Sequence, residues 1–74
     1  MKVHLTPTLH DDLDRCLDLA IAADGIVNVP RLAEEIRLRN EELNVALEDI
    51  AAEVMRRALA RNALMEFDAA RSLN

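Results

Sequence analysis

The stretch that most constrains the fold is residues 47–70, LEDIAAEVMRRALARNALMEFDAA, which contains neither proline nor glycine. It is rich in alanine, leucine, methionine, glutamate and arginine, the residues that cost least to hold in an α-helix. Asn44 precedes this stretch, and its side chain is of a type that caps helix N-termini. The sequence therefore predicts a long third helix over residues 45–70, separated from the preceding helix at Asn44.

At 100° per residue, the apolar side chains of this helix form two stripes on nearly opposite sides. The first predicts a core face and contains Leu47, Ile50, Ala51, Val54, Ala58, Met65 and Ala69. The second predicts an interface and contains Val45, Ala52, Leu59, Ala63, Phe67 and Ala70. Two interpretations stay open, because the helix either touches neighbours on both sides within one chain or pairs through the second stripe with another copy. Phe67, the single aromatic residue, is then either the interface anchor or part of the monomer core.

The chain of 74 residues is expected to form a single domain, 1–74, with a small core. A domain of this size buries only about 60% of the surface that its unfolded chain exposes. Cys16 is the single cysteine, so it has no partner within the chain for a disulfide. Association is the simplest remaining way to bury more apolar surface. We therefore expect a homodimer, and the same surface is compatible with a different protein partner.

Two shorter helices precede the long one. Pro7 favours the first turn of a helix, and Gly25 supplies the left-handed backbone that ends one. Asn28 is the expected N-cap of the second helix. The expected boundaries are residues 8–23 and 29–42 for these helices, 45–70 for the third, and 1–6 and 71–74 for flexible tails. The predicted fold class is all-α, a three-helix bundle with a long C-terminal helix.

Residues that could support catalysis or bind metal are sparse. His4, His10, Asp11 and Cys16 are metal-ligand types, but their spacing matches no zinc pattern. Asp12, Asp14 and Asp18 lack the glycine and final glutamate of a calcium loop, and so predict a solvated acidic face. With one glycine and one serine, the chain offers no phosphate-binding loop or serine triad. We expect no catalytic, cofactor-binding or metal-binding residues, no small-molecule substrate and no enzyme activity.

The charge and hydropathy patterns bear on partners and location. The formal net charge of −5, from 14 acidic and 9 basic residues, disfavours nucleic acid as a partner. No segment approaches the roughly 18 apolar residues that a bilayer-spanning helix requires. Lys2 is followed by Pro7 and by aspartates rather than by the apolar region of a signal peptide. Together with the single thiol, these features predict a cytoplasmic protein without membrane attachment.

The chain has the order helix, Gly25, Ile-Val-Asn-Val connector, helix, turn and long helix, followed by Leu-Met-Glu-Phe at 64–67. This order, over residues 13–67, resembles helix-turn-helix and winged-helix domains. The run Leu-Ala-Glu-Glu-Ile at 32–36 is similar to the second helix of many such domains. The resemblance implies a small strand at the connector, a third helix that enters the major groove, and a strand at 64–67 that starts a wing.

Three arginines are the candidate DNA contacts of such a domain: Arg56, Arg57 and Arg61. Their alternative role is to pair with the acidic first helix. Glu48 and Asp49 would repel phosphates at the start of the third helix. The sequence therefore predicts a non-enzymatic, small interaction or regulatory module that acts through an apolar helix face, as a homodimer. The alternative is a DNA-binding helix-turn-helix or winged-helix-like transcriptional regulator.

Overall fold

A computed structural model describes residues 6–68 and shows a mostly helical chain, which confirms three α-helices. The elements are α1 (Pro7–Asp24), β1 (Ile26–Asn28), α2 (Val29–Arg39), a 3₁₀ turn (Glu41–Leu43), α3 (Leu47–Ala60) and β2 (Leu64–Glu66). Ala70, His4 and the expected flexible tails other than Thr6 lie outside the described residues. The two strands were not part of the predicted all-α fold.

Both ends of α1 follow from local side-chain and backbone chemistry. The Thr6 hydroxyl accepts a hydrogen bond from the Leu9 amide at 3.1 Å, and Pro7 occupies the first helical position. At the other end, Gly25 adopts φ +71°, and its amide donates to the Ile21 carbonyl at 2.9 Å. Glycine suits this position because a left-handed backbone strains a residue that carries a β-carbon.

The third helix is shorter than the sequence predicts. It covers 14 residues and ends at Ala60 rather than at residue 70, so α1, with 18 residues, is the longest helix. Asn62 adopts φ +56° and donates to the Leu59 carbonyl, while Ala63 donates to the Ala58 carbonyl at 3.0 Å. These two bonds are those of a Schellman motif with asparagine in the left-handed position. The predicted start at Val45 is also wrong, because Ala46 is the N-cap and Leu47 is the first helical residue.

The two strands form a parallel ladder in which Ile26 faces Leu64, Val27 faces Met65 and Asn28 faces Glu66. Val27 is fully buried, and Met65 packs against the core beside it. The opposite face of the ladder carries Asn28 and Glu66, whose side chains are hydrogen-bonded. The strands lie at the positions that the winged-helix resemblance assigns to the connector and to the start of the wing.

The core receives side chains from all three helices and from β1. Its buried members are Leu9, Leu13, Leu17, Val27, Val29, Leu32, Ala33, Ile36, Ile50, Val54 and Ala58. For α3, the predicted core positions Ile50, Val54 and Ala58 are confirmed, while Leu47 is more than a third exposed. Among the described helices, none combines the length and apolar character that crossing a membrane requires.

Candidate functional site

The side of α3 that points away from the core is mixed in character. We define the outward face of α3 as Glu48, Ala52, Met55, Arg56 and Leu59, all of which are exposed. On a helix these residues lie within about 100° of one another and opposite the buried Ile50, Val54 and Ala58. Leu59 is the more exposed of the two large apolar residues on this face, since 62% of its surface is accessible, against 37% for Met55. The face therefore combines an apolar centre with one acidic and one basic side chain.

Two further large apolar residues are exposed shortly after α3 in the sequence, at β2 and just beyond it. Leu64 is 70% exposed and Phe67, which follows the strand, is 56% exposed. Seven large apolar residues are exposed in the described part of the chain, and four of them fall between residues 55 and 67. Single exposed leucines are ordinary in proteins, whereas several in one short stretch indicate a contact surface.

The structure divides the predicted interface residues into three groups. Ala52 and Leu59 share the outward face of α3, and Phe67 is exposed beyond β2. Val45 and Ala63 lie outside the helix and pack, half-buried, against the core. Ala70 is not among the described residues.

Two exposed residues, Met55 and Leu64, were not predicted for the interface. Met55 is only about 60° from Ala52 on a helical projection, so its position was available from the spacing. Leu64 becomes recognisable once residues 64–66 are treated as a strand, because alternate side chains then point to opposite faces.

The predicted arginines Arg57 and Arg61 are held in an ion-pair cluster between α1 and α3. Arg57 donates to Asp14 Oδ1 and to Glu53 Oε1, both at 2.9 Å, and also contacts His10. Arg61 donates to Asp18 Oδ1 at 2.8 Å and to Asp14 Oδ1 at 3.2 Å. The structure thus places these two arginines in the role of complementing the acidic first helix within one chain.

The environment of this cluster explains its charge state. Partial burial raises the pKa of Asp14, but hydrogen bonds and attraction from Arg57 and Arg61 outweigh it and lower that pKa overall. Only 15% of the Arg57 side chain is accessible, against 72% for Arg56. Arg56 pairs with Glu53 on the same helix, and most of its side chain remains accessible. Of the three arginines, Arg56 is therefore the one available to a partner.

A second polar cluster surrounds Asp12, which is buried rather than part of a solvated face. Arg39 binds both of its carboxylate oxygens, at 3.2 and 2.9 Å, and Asn40 and Arg15 donate to the same group. These hydrogen bonds, that of Arg39 foremost, outweigh the effect of burial and lower the pKa of Asp12 to about 2. All of its oxygens are engaged by cations or amides, so the cluster fastens α1 to the end of α2.

Cys16 lies beside this cluster and is half-buried. Its thiol donates to Asp12 Oδ1 at 3.7 Å. Burial raises the pKa of Cys16, and the negative charge of Asp12 raises it further. A thiol with a raised pKa is a poor nucleophile at neutral pH, so this residue packs as a small apolar side chain.

An open groove of about 580 Å³ runs between the end of α1, β1 and α2. Its lining is partly apolar, and it also carries charges of both signs, acidic at Asp24, Glu34 and Glu35 and basic at Arg31. No serine, cysteine or histidine lines it, as far as the described residues go. Nor do residues 6–68 contain a group of three His, Cys, Asp or Glu side chains placed to hold a metal ion.

No protein-family model, curated protein or solved structure matches the chain.

Proposed function

We propose that the chain is a small, non-enzymatic interaction or regulatory module that associates with a second copy of itself. The observation that carries this proposal is the concentration of exposed Met55, Leu59, Leu64 and Phe67 in one short stretch. These residues are apolar and large, and 37–70% of the surface of each is still accessible. Burying a fully exposed side chain of this kind contributes about 1.5–3 kcal/mol, so each can contribute roughly half of that at an interface.

Self-association suits these exposed residues because it buries their apolar area. In a two-fold interface both copies contribute the same residues. A homodimer therefore buries twice the exposed apolar area that one chain supplies. Aromatic and large aliphatic anchors dominate the energy of such interfaces, which gives Phe67 and Leu59 the leading roles.

The test is the solution mass by light scattering across a range of concentrations, with refractive-index detection because the chain has no Trp or Tyr. We expect a dimer that Leu59→Ser and Phe67→Ala dissociate at concentrations where the wild type stays associated. Leu38→Ser is the matched control, because Leu38 is an exposed leucine of α2 and lies outside residues 55–67. A wild-type chain that is monomeric at every concentration would contradict the proposal.

DNA binding is the second candidate, and the placement of β1 and β2 around α2 and α3 favours it. The candidate contacts Arg57 and Arg61 already balance acidic groups of α1, so DNA would have to compete for them. If DNA is the partner, a mixed duplex pool shifts at low salt and the affinity falls steeply as salt is added. Arg57→Ala and Arg56→Ala would then both weaken binding, and absence of any shift excludes this role.

A further inference from the structure

The outward face of α3 contains a row that is complementary to itself. Glu48, Ala52 and Arg56 are spaced four residues apart and so form one ridge along the helix. Glu48 lies about 6 Å before Ala52 along the axis and Arg56 about 6 Å after it. The charge thus reverses about Ala52, with the smallest side chain at the centre.

A two-fold axis through this centre brings opposite charges together. The axis lies between the two copies, level with Ala52 and perpendicular to α3. Rotation by 180° about it brings Glu48 of one copy opposite Arg56 of the other, and the reverse. We propose that the homodimer forms by antiparallel packing of two α3 helices about Ala52, with two Glu48–Arg56 ion pairs between copies. This pairing rests on the proposed function, since it specifies how the two copies meet.

The side chains that this arrangement needs are available. Glu48 is exposed and forms no ion pair with any described residue. Arg56 is bound to Glu53 on its own helix, but a guanidinium carries five N–H donors and accommodates a second carboxylate. Ala52, the smallest side chain of the row, lets the helices approach within the usual range of about 8–10 Å between axes.

The exposed Leu59 lies about 10 Å after Ala52 along the helix axis. At the same level in the other copy lies the start of α3, where Ala46 and Leu47 are exposed. Other registers lose the charge match: a register centred between Met55 and Arg56 places the two Arg56 side chains close together.

Disulfide trapping tests the register directly. In a Cys16→Ser background, we expect Ala52→Cys to form a covalent dimer under mild oxidation. Helix axes about 9–10 Å apart place facing Cα atoms, each about 2.3 Å from its axis, about 4.4–5.4 Å apart, which is within disulfide range. Ala60→Cys is the matched control, since Ala60 is also an exposed alanine of α3. In the proposed register its two copies lie about 24 Å apart along the helices, so it stays uncrosslinked.

Charge reversal tests the ion pairs. Glu48→Arg alone and Arg56→Glu alone should each weaken the dimer roughly tenfold, because two attractions become two repulsions. The double variant E48R/R56E restores the pairing and should recover most of the affinity. Circular dichroism of each variant checks that the helices are retained.

The outcomes separate this proposal from the function on which it rests. A monomeric wild type overturns both. A dimer in which Ala52→Cys does not crosslink, or in which the double variant fails to recover, overturns the antiparallel pairing and leaves self-association intact. Crosslinking at residue 52 but not 60, together with recovery in the double variant, supports the pairing.

Discussion

Arg39, at the end of α2, donates hydrogen bonds to both carboxylate oxygens of Asp12 in α1, 27 residues earlier in the sequence. The two side chains differ in exposure, since only 8% of the Asp12 side chain is accessible whereas about half of the Arg39 side chain is. A buried carboxylate costs free energy unless it is paired, and Arg39 and Asn40 supply that pairing. The charge pattern of α1 therefore contributes to the packing of the domain.

Asp12→Asn should lower the free energy of unfolding by about 2 kcal/mol at pH 7. The pKa of Asp12 falls from its ordinary value of 3.8 to about 2 on folding, and each unit corresponds to about 1.4 kcal/mol. Since the folded pKa is depressed, the unfolded chain takes up the proton first as the pH falls. The contribution is thus complete above about pH 4 and is lost between about pH 4 and pH 2.

Urea unfolding followed by circular dichroism at several pH values measures this difference. The gap between wild type and Asp12→Asn should close as the pH approaches 2. Asp11→Asn is the control at the neighbouring exposed position, and we expect it to change stability by less than about 0.5 kcal/mol. An equal loss in both variants would refute the special role of Asp12.

Arg57→Met should destabilise the fold far more than Arg56→Met. Arg57 is mostly buried and bridges Asp14 and Glu53, so its removal leaves carboxylates with fewer partners and costs about 1–2 kcal/mol. Arg56 is exposed, and losing its pair with Glu53 costs less than about 0.5 kcal/mol. Thermal unfolding at low and high salt measures both, and the Arg57 effect should shrink only partly in salt. Equal losses would show that the cluster does not join α1 to α3.

The N-terminal half of the fold was more predictable than the C-terminal half. Few neighbouring residues could replace Gly25 or Asn28 as helix caps. As predicted, Gly25 ends α1 and Asn28 caps the start of α2. The stretch after Ala60 is rich in good helix formers, with Ala, Leu, Met and Glu at 63–66, so propensity alone extends the helix. Its strand depends on pairing with β1, 38 residues earlier, which local propensity does not contain. Asn62 was the available signal, because asparagine tolerates the left-handed backbone that ends a helix.

The candidate site shows the same division. Ala52 and Leu59 are exposed because the helical period places them opposite the core, and the period extends over the real helix. Counting by the helical period also predicts Val45 and Ala63 for this side of the helix. Both residues lie beyond the ends of α3, however, where the helical period no longer applies. The burial of Asp12 was missed because its partners Arg39 and Asn40 come from another helix.

Asn62→Ala should weaken the junction between α3 and β2 by about 1 kcal/mol, because alanine is strained in the left-handed region. Asn62→Gly keeps the backbone conformation at φ +56° and should stay within about 0.5 kcal/mol of wild type. Gly25→Ala offers a parallel case at φ +71°, where an added β-carbon meets no atom within 4 Å. Its cost, also about 1 kcal/mol, is then a backbone cost alone. Chemical denaturation compares the three variants, and an Asn62→Ala chain as stable as wild type would contradict the assigned helix end.

Asn28 caps α2 and also links the start of that helix to the β2 region. Its Oδ1 accepts from the Arg31 amide at 3.2 Å, while its Nδ2 donates to Glu66 at 3.0 Å and to the Asp68 carbonyl at 3.1 Å. The side chain is buried and so joins the start of α2 to the end of the sheet. Thr6→Ala removes only a cap and should cost about 1 kcal/mol, whereas Asn28→Ala should cost about 2–3 kcal/mol.

Asn28→Asp separates the two jobs, because aspartate keeps the capping oxygen and loses the donor. At pH 7 the new carboxylate faces Glu66 and a carbonyl oxygen, so we expect this variant to be at least as unstable as Asn28→Ala. Like charge and burial raise the folded pKa of the introduced group, so the penalty is present above its unfolded pKa and is relieved as the pH falls and a proton restores the donor. The difference in unfolding free energy between Asn28→Asp and Asn28→Ala should therefore shift in favour of aspartate between pH 7 and pH 4. A pH-independent difference would mean that capping of α2, and not the link to β2, is what Asn28 contributes.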